Sequence, residues 1–163
     1  MMKKLLCTAF AVFAVMTAAG AVGNIFPASR TDIDGVTRSG YLDEEGRTVL
    51  PFAYASAGEF APCGLAAVED EKWQTAVIDR EGKLIVDYTE SPVSVDFSDS
   101  MIAYRYADHS VYYTLSGTKL GSYPGAEGFF EDGLLLCRNA QTGRYSFVKE
   151  DGTAAFAAEY AAA

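Results

Sequence analysis

Half of the 163 residues are apolar and 13 % are aromatic, too much for a disordered chain; the length suits one domain or one short repeat array. It is too short for an enzyme with separate cofactor and substrate domains, and a formal charge of −9 excludes a phosphate backbone as the natural partner. One histidine and three cysteines leave no zinc site of the usual Cys/His count, and no cofactor is expected.

The first element is a leader. Residues 1–4 are short and basic, residues 5–16 form an unbroken apolar run, and residues 17–21 are small, with Ala19-Gly20-Ala21 in the A-x-A pattern. That order predicts a signal helix, removed as a signal peptide over 1–21, and a secreted or extracytoplasmic protein. The alternative is an uncleaved membrane anchor, because residues 5–22 just reach spanning length. Cleavage removes Lys3 and Lys4 and no acid, taking the charge from −9 to −11, and leaves no membrane segment. Cys63 and Cys137 remain; export permits a disulfide, and spacing does not decide it.

Residues 22–38 read as a linker. Asp32-Ile33-Asp34-Gly35 has the opening of a calcium loop, but the third acidic ligand and the closing glutamate are missing, so it reads as a turn.

From residue 39 the chain repeats. Gly46, Gly82, Gly117 and Gly152 are spaced by 36, 35 and 35 residues, each preceded by a pair of apolar or aromatic residues and a polar stretch. Phe60, Phe97 and Phe129 mark a second recurring signature, each leading into an apolar run, and are expected in the core at matching places. The units are about 39–74, 75–109, 110–144 and a partial 145–163. Val, Ile, Tyr and Phe in short runs between glycine turns predict strands, and no later window has a capped helical period. The fold class is therefore all-β: tandem antiparallel repeats, three and a half units, in a meander or solenoid-like array. The clearest hairpin places Tyr106 opposite Val111, Tyr104 opposite Tyr113 and Arg105 opposite Tyr112, with residues 107–110 as its loop.

Residues 39–54 (SGYLDEEGRTVLPFAY) followed by 60–68 (FAPCGLAAV) resemble the bacterial WG repeat. Gly40, Tyr41, Leu42, Asp43, Gly46, Arg47, Val49, Leu50, Pro51 and Tyr54 fall on its marks, as do Phe60, Gly64, Leu65, Ala66 and Val68. Ala76-Val77-Ile78-Asp79 with Gly82-Lys83 fits the second unit, and the third and fourth keep mainly the turn glycine and the aromatics. Ser39, Thr75, Ser110 and Tyr145 stand where the repeat has tryptophan, and Trp73 lies two residues too early. The resemblance implies a β-rich repeat of bacterial, often exported, proteins with interaction roles, and it brings no catalytic motif.

Chemical candidates are few. Ser116-Gly117-Thr118-Lys119 has S-x-x-K spacing, but it sits on a repeat turn with no helix to bring lysine beside serine. Glu44-Glu45 and Glu69-Asp70-Glu71 read as solvated hairpin tips, and His109 as a turn residue without a nucleophile. Aromatic density has more functional pull. Tyr104, Tyr106, Tyr112 and Tyr113 crowd one hairpin, with Trp73 on the preceding one. Such residues pack sheets, and they also form stacking platforms for sugars or peptides. They are the expected ligand-facing surface of an exported, non-catalytic binding module of the cell envelope, with a protein or glycan partner. The alternatives are a spacer presenting a domain lost from this chain, or an enzyme with a cryptic site at the sheet edge.

Overall fold

The computed structural model describes residues 23–157 and 159–161, so the expected signal helix over 1–21 lies outside the described residues. The described residues form fourteen strands in four antiparallel sheets and no helix. The first sheet holds β1 (Ile25–Thr31), β2 (Thr37–Asp43) and β3 (Thr48–Tyr54). The second holds β4 (Ser56–Ala57), β5 (Ala66–Glu69), β6 (Thr75–Ile78) and β7 (Leu84–Thr89). The third holds β8 (Ser94–Phe97), β9 (Met101–Arg105), β10 (His109–Thr114) and β11 (Lys119–Pro124). The fourth holds β12 (Ala126–Glu131), β13 (Leu134–Arg138) and β14 (Tyr145–Lys149). Strands are neighbours in the sheet in the order they occur in the chain.

The stretch expected as a linker instead carries β1 and the start of β2, paired from Ile25↔Asp43 to Thr31↔Thr37. Asp32 to Gly35 is indeed a turn, and it is the turn of this hairpin. Pro27 and the mixed polarity of residues 25–31 hide β1 in the sequence; as an edge strand it tolerates the missing N–H. Sheet boundaries fall near residues 55, 90–93 and 125, so each of the three full sequence units is divided between two sheets.

One turn recurs throughout. At Asp43 to Gly46, the Gly46 N–H donates to the Asp43 carbonyl at 3.0 Å, and the Asp43 N–H donates to the Arg47 carbonyl at 3.0 Å. This is the three-residue hairpin loop whose last residue is left-handed, the natural place for glycine. Gly35, Gly64, Gly82, Gly117 and Gly152 close the same turn.

Successive sheets pack face to face through three cores. Tyr41, Leu50, Ala66, Val68, Ala76 and Ile78 join the first sheet to the second. Leu65, Val77, Val86, Ile102, Tyr104 and Val111 join the second to the third. Ala103, Tyr112, Tyr123, Leu135 and Cys137 join the third to the fourth. Side chains alternate along a strand, so an inner sheet sends neighbouring residues to opposite cores. β6 is buried at every position for this reason: Ala76 and Ile78 point one way and Val77 the other. Phe60, Phe97 and Phe129 lie half-buried against the first, second and third cores respectively. The phenol of Tyr41 donates across the first core to the Gly58 carbonyl at 2.8 Å, and that of Tyr112 across the third to the Gly128 carbonyl at 2.6 Å. Tyr104, in the second core, has a buried hydroxyl with no partner.

The β9–β10 hairpin differs from the expected register by two residues. Tyr104 pairs with Val111, Ala103 with Tyr112, Ile102 with Tyr113 and Arg105 with Ser110. The loop is tighter than expected, because the Tyr106 N–H bonds the His109 carbonyl at 2.8 Å around Ala107 and Asp108. An even shift keeps every side chain on its expected face. Cys63 and Cys137 are free thiols, packed in different cores.

Candidate functional site

The expected ligand-facing tyrosines do not form an exposed surface. Tyr104 and Tyr112 are fully buried, in the second and third cores. Tyr113 is half-buried with its ring 5.4 Å from that of Tyr104. Tyr106 is half-buried, donates to the Glu90 carbonyl at 3.1 Å, and stacks on His109 at 4.7 Å. A sheet standing alone would leave one face in water, but the third sheet is covered on both faces, so aromatic density there is packing. Burial pushes the Tyr104 and Tyr112 phenols up, and neither exchanges a proton near neutral pH.

The densest polar cluster is structural. Arg105 is mostly buried, pairs through Nε with Asp96 Oδ2 at 2.9 Å, and donates from Nη1 to Tyr112 Oη at 2.7 Å and Ser110 Oγ at 3.2 Å. Its Nη2 donates to the Gly128 carbonyl at 2.6 Å, and its guanidinium lies 5.3 Å from the ring centres of Tyr112 and Phe129. The side chain clamps β9 and β10 to β12 and has little left to offer a ligand.

An open cleft of about 720 Å³ lies at the ends of the third and fourth sheets. Asp108, His109, Glu127, Arg138, Asn139 and Gln141 line it with polar groups over an apolar floor that includes Tyr123 and Val148. His109 Nδ1 lies 2.7 Å from Asp108 Oδ1, and this bond holds the Asp108 carboxyl below its usual range. Cys137 is on the wall, but burial, aided by the Glu127 charge, pushes its thiol up and away from the reactive thiolate. The Ser110 hydroxyl is held by Arg105. The cleft offers hydrogen bonds and a suitable volume for a small polar ligand, without an activated nucleophile. No cluster of three or more metal-binding side chains occurs among the described residues.

Of the expected site residues, Trp73 alone is strongly exposed, at 64 %. It closes the β5–β6 hairpin in the recurring turn: its N–H donates to the Asp70 carbonyl at 3.0 Å, and the Asp70 N–H to the Gln74 carbonyl at 3.0 Å. The Asp70 carboxylate takes the N–H groups of Lys72 and Gln74 at 2.9 and 2.8 Å, which stiffens the tip. Trp73 therefore occupies the left-handed position that glycine fills in six sister turns, with φ of 61°. The side-chain crowding in that conformation costs an L-residue about 1–2 kcal/mol. Asp132 is the other non-glycine residue described with positive φ, and its type tolerates that region well. Arg38 ties the Trp73 tip to the β1–β2 tip, pairing with Glu71 at 3.0 Å and Asp32 at 3.3 Å. The same end displays the exposed Ile33 and Val36 of the β1–β2 hairpin. The signal was present in the sequence: Asp70-Glu71-Lys72-Trp73 aligns with Asp43-Glu44-Glu45-Gly46, an alignment that a strict 35-residue period conceals.

Residues 40–73 match the family described as WG containing repeat. The matched stretch runs from within β2 to Trp73 itself, across the junction of the first and second sheets. A search of curated proteins finds no match to the chain.

Proposed function

We propose that this protein is an exported, non-catalytic binding module of the bacterial cell envelope, meeting a protein or glycan partner through the Trp73 tip. The observation that carries this reading is the conformation of Trp73. An exposed indole stands in a strained backbone position that glycine would occupy freely, and among the described residues it belongs to none of the three cores. A flat apolar ring on a stiff, polar tip suits stacking on a sugar face or an apolar side chain, with Lys72 and Gln74 beside it for hydrogen bonds. The stacked sheets fit a solenoid-like array, in which each unit touches only its neighbours and the whole serves as a rigid support.

Export rests on the leader at 1–21, and the charge of −11 after its removal favours solubility and discourages contact with anionic surfaces. N-terminal sequencing of exported material is expected to begin just after Ala21. An intact Met1 on membrane-bound protein would establish the anchored form instead.

The binding test is a screen against glycans and peptides with Trp73→Gly as the paired variant. Glycine relieves the left-handed strain, so the variant is expected to unfold later by about 1–2 kcal/mol and to lose the ligand. A variant that stays folded and binds as well as the parent would remove Trp73 from the site.

A further inference from the structure

The register pairs that meet between successive sheets recur in the same places, and the pattern extends to the first and fourth sheets. On the side facing the preceding sheet, each central strand pair presents two register pairs. They are Ala66–Ile78 and Val68–Ala76 in the second sheet, Ile102–Tyr113 and Tyr104–Val111 in the third, and Leu135–Val148 and Cys137–Ser146 in the fourth. All but Ser146 belong to, or pack against, the core shared with the preceding sheet. The first sheet presents Phe26–Leu42 and Ala28–Gly40 in the same places. No preceding sheet exists among the described residues, and Phe26 is 50 % exposed.

The opposite side is equally regular. Tyr41, Val77 and Tyr112 face the following sheet, paired across their strands with Pro27, Ala67 and Ala103. Phe147, paired with Leu136, is the corresponding residue of the fourth sheet. The rings of Phe156 and Tyr160 lie against it, 6.1 and 6.4 Å away, on a segment held by Tyr145–Tyr160 and Ala155–Phe147 backbone bonds. Phe156 stands on Phe147 much as Phe129 stands on Tyr112 at 6.1 Å. Both covering rings are themselves about half exposed.

We infer that these two ends dock on one another between copies of the chain. The outward face of the first sheet receives the Phe147–Phe156–Tyr160 end of a second copy, continuing the sheet-on-sheet interface that recurs three times within the chain. Each internal interface joins unlike faces, so the contact between copies is heterologous. It leaves one free end of each kind and grows into an open head-to-tail stack.

Sedimentation velocity of the protein as exported tests this over a concentration series up to millimolar. The parent is expected to form species that lengthen beyond the dimer as concentration rises. Phe26→Asp and Tyr160→Asp alter opposite ends at exposed side chains, and the unfolding midpoint of each verifies that it is folded. Each alone is expected to be monomeric, while an equimolar mixture forms dimers and nothing larger, because each variant keeps the end the other lacks. A monomeric parent, a parent that stops at a dimer, association surviving in either variant, or a mixture that stays monomeric would each overturn the inference.

Discussion

Tyr112→Ala is expected to destabilise the fold by about 3–5 kcal/mol, the range for truncating a fully buried large aromatic. Tyr112 is inaccessible to solvent, and its ring meets Tyr123, Phe129 and Phe130 edge-on at 5.7, 6.1 and 5.5 Å. Removing it opens the centre of the third core and takes away the hydroxyl that links Arg105 Nη1 to the Gly128 carbonyl. Tyr112→Phe keeps the ring and loses only the hydroxyl, and about 1–2 kcal/mol is expected because Arg105 still reaches the carbonyl directly. Because each of the three cores joins one sheet to the next, the damage should be local. Hydrogen exchange in the alanine variant is expected to rise first in β12 to β14, while the first sheet stays protected. A uniform loss of protection, or an unchanged urea midpoint, would show that the third core is not the separate joint described above.

Gly117→Ala is the second large effect, expected at about 2–5 kcal/mol. Its φ is 87°, so any side chain meets the left-handed strain of about 1–2 kcal/mol. A Cβ there would also fall on the Ile85 carbonyl oxygen of β7, a backbone atom that cannot swing aside, which adds about 1–3 kcal/mol of overpacking. The four glycines that mark the sequence period are alike in their turns and unlike in their surroundings. Gly46 and Gly152 have open space where a Cβ would stand, so alanine there should meet the strain alone. At Gly82 the Cβ would meet Leu50 Cδ2 at 3.1 Å, a flexible methyl, and an intermediate effect follows. Urea midpoints of the four alanine variants should fall in that order, with Gly117 last. Equal shifts at all four would mean that the Gly117 turn does not abut β7.

What the sequence determined by itself is local. The turns at Gly46, Gly82, Gly117 and Gly152 were legible because a three-residue hairpin loop is built from its own few residues and needs a left-handed place at its end. The strands between them, and the two-residue alternation that assigns each side chain a face, follow from the same short-range chemistry. Even a misjudged loop length at Ala107 and Asp108 slipped the β9–β10 register by two and left the faces intact.

What only the tertiary structure decided depends on neighbours distant in the chain. Whether Tyr104 and Tyr112 face water is settled by the second and fourth sheets lying over the third, and nothing in the hairpin's own sequence records that cover. Residues 22–38 looked like a linker because β1 becomes a strand only by pairing with β2 and closing the first sheet. The period of the glycines likewise says how often a unit recurs and not where one sheet stops, since a sheet boundary is set by which strands pair. Trp73 joins the two levels. Its turn is written in Asp70 to Gln74, but its exposure follows from its lying outside all three cores. Backbone conformation is chosen by nearby atoms, and exposure by the sum of everything packed around them.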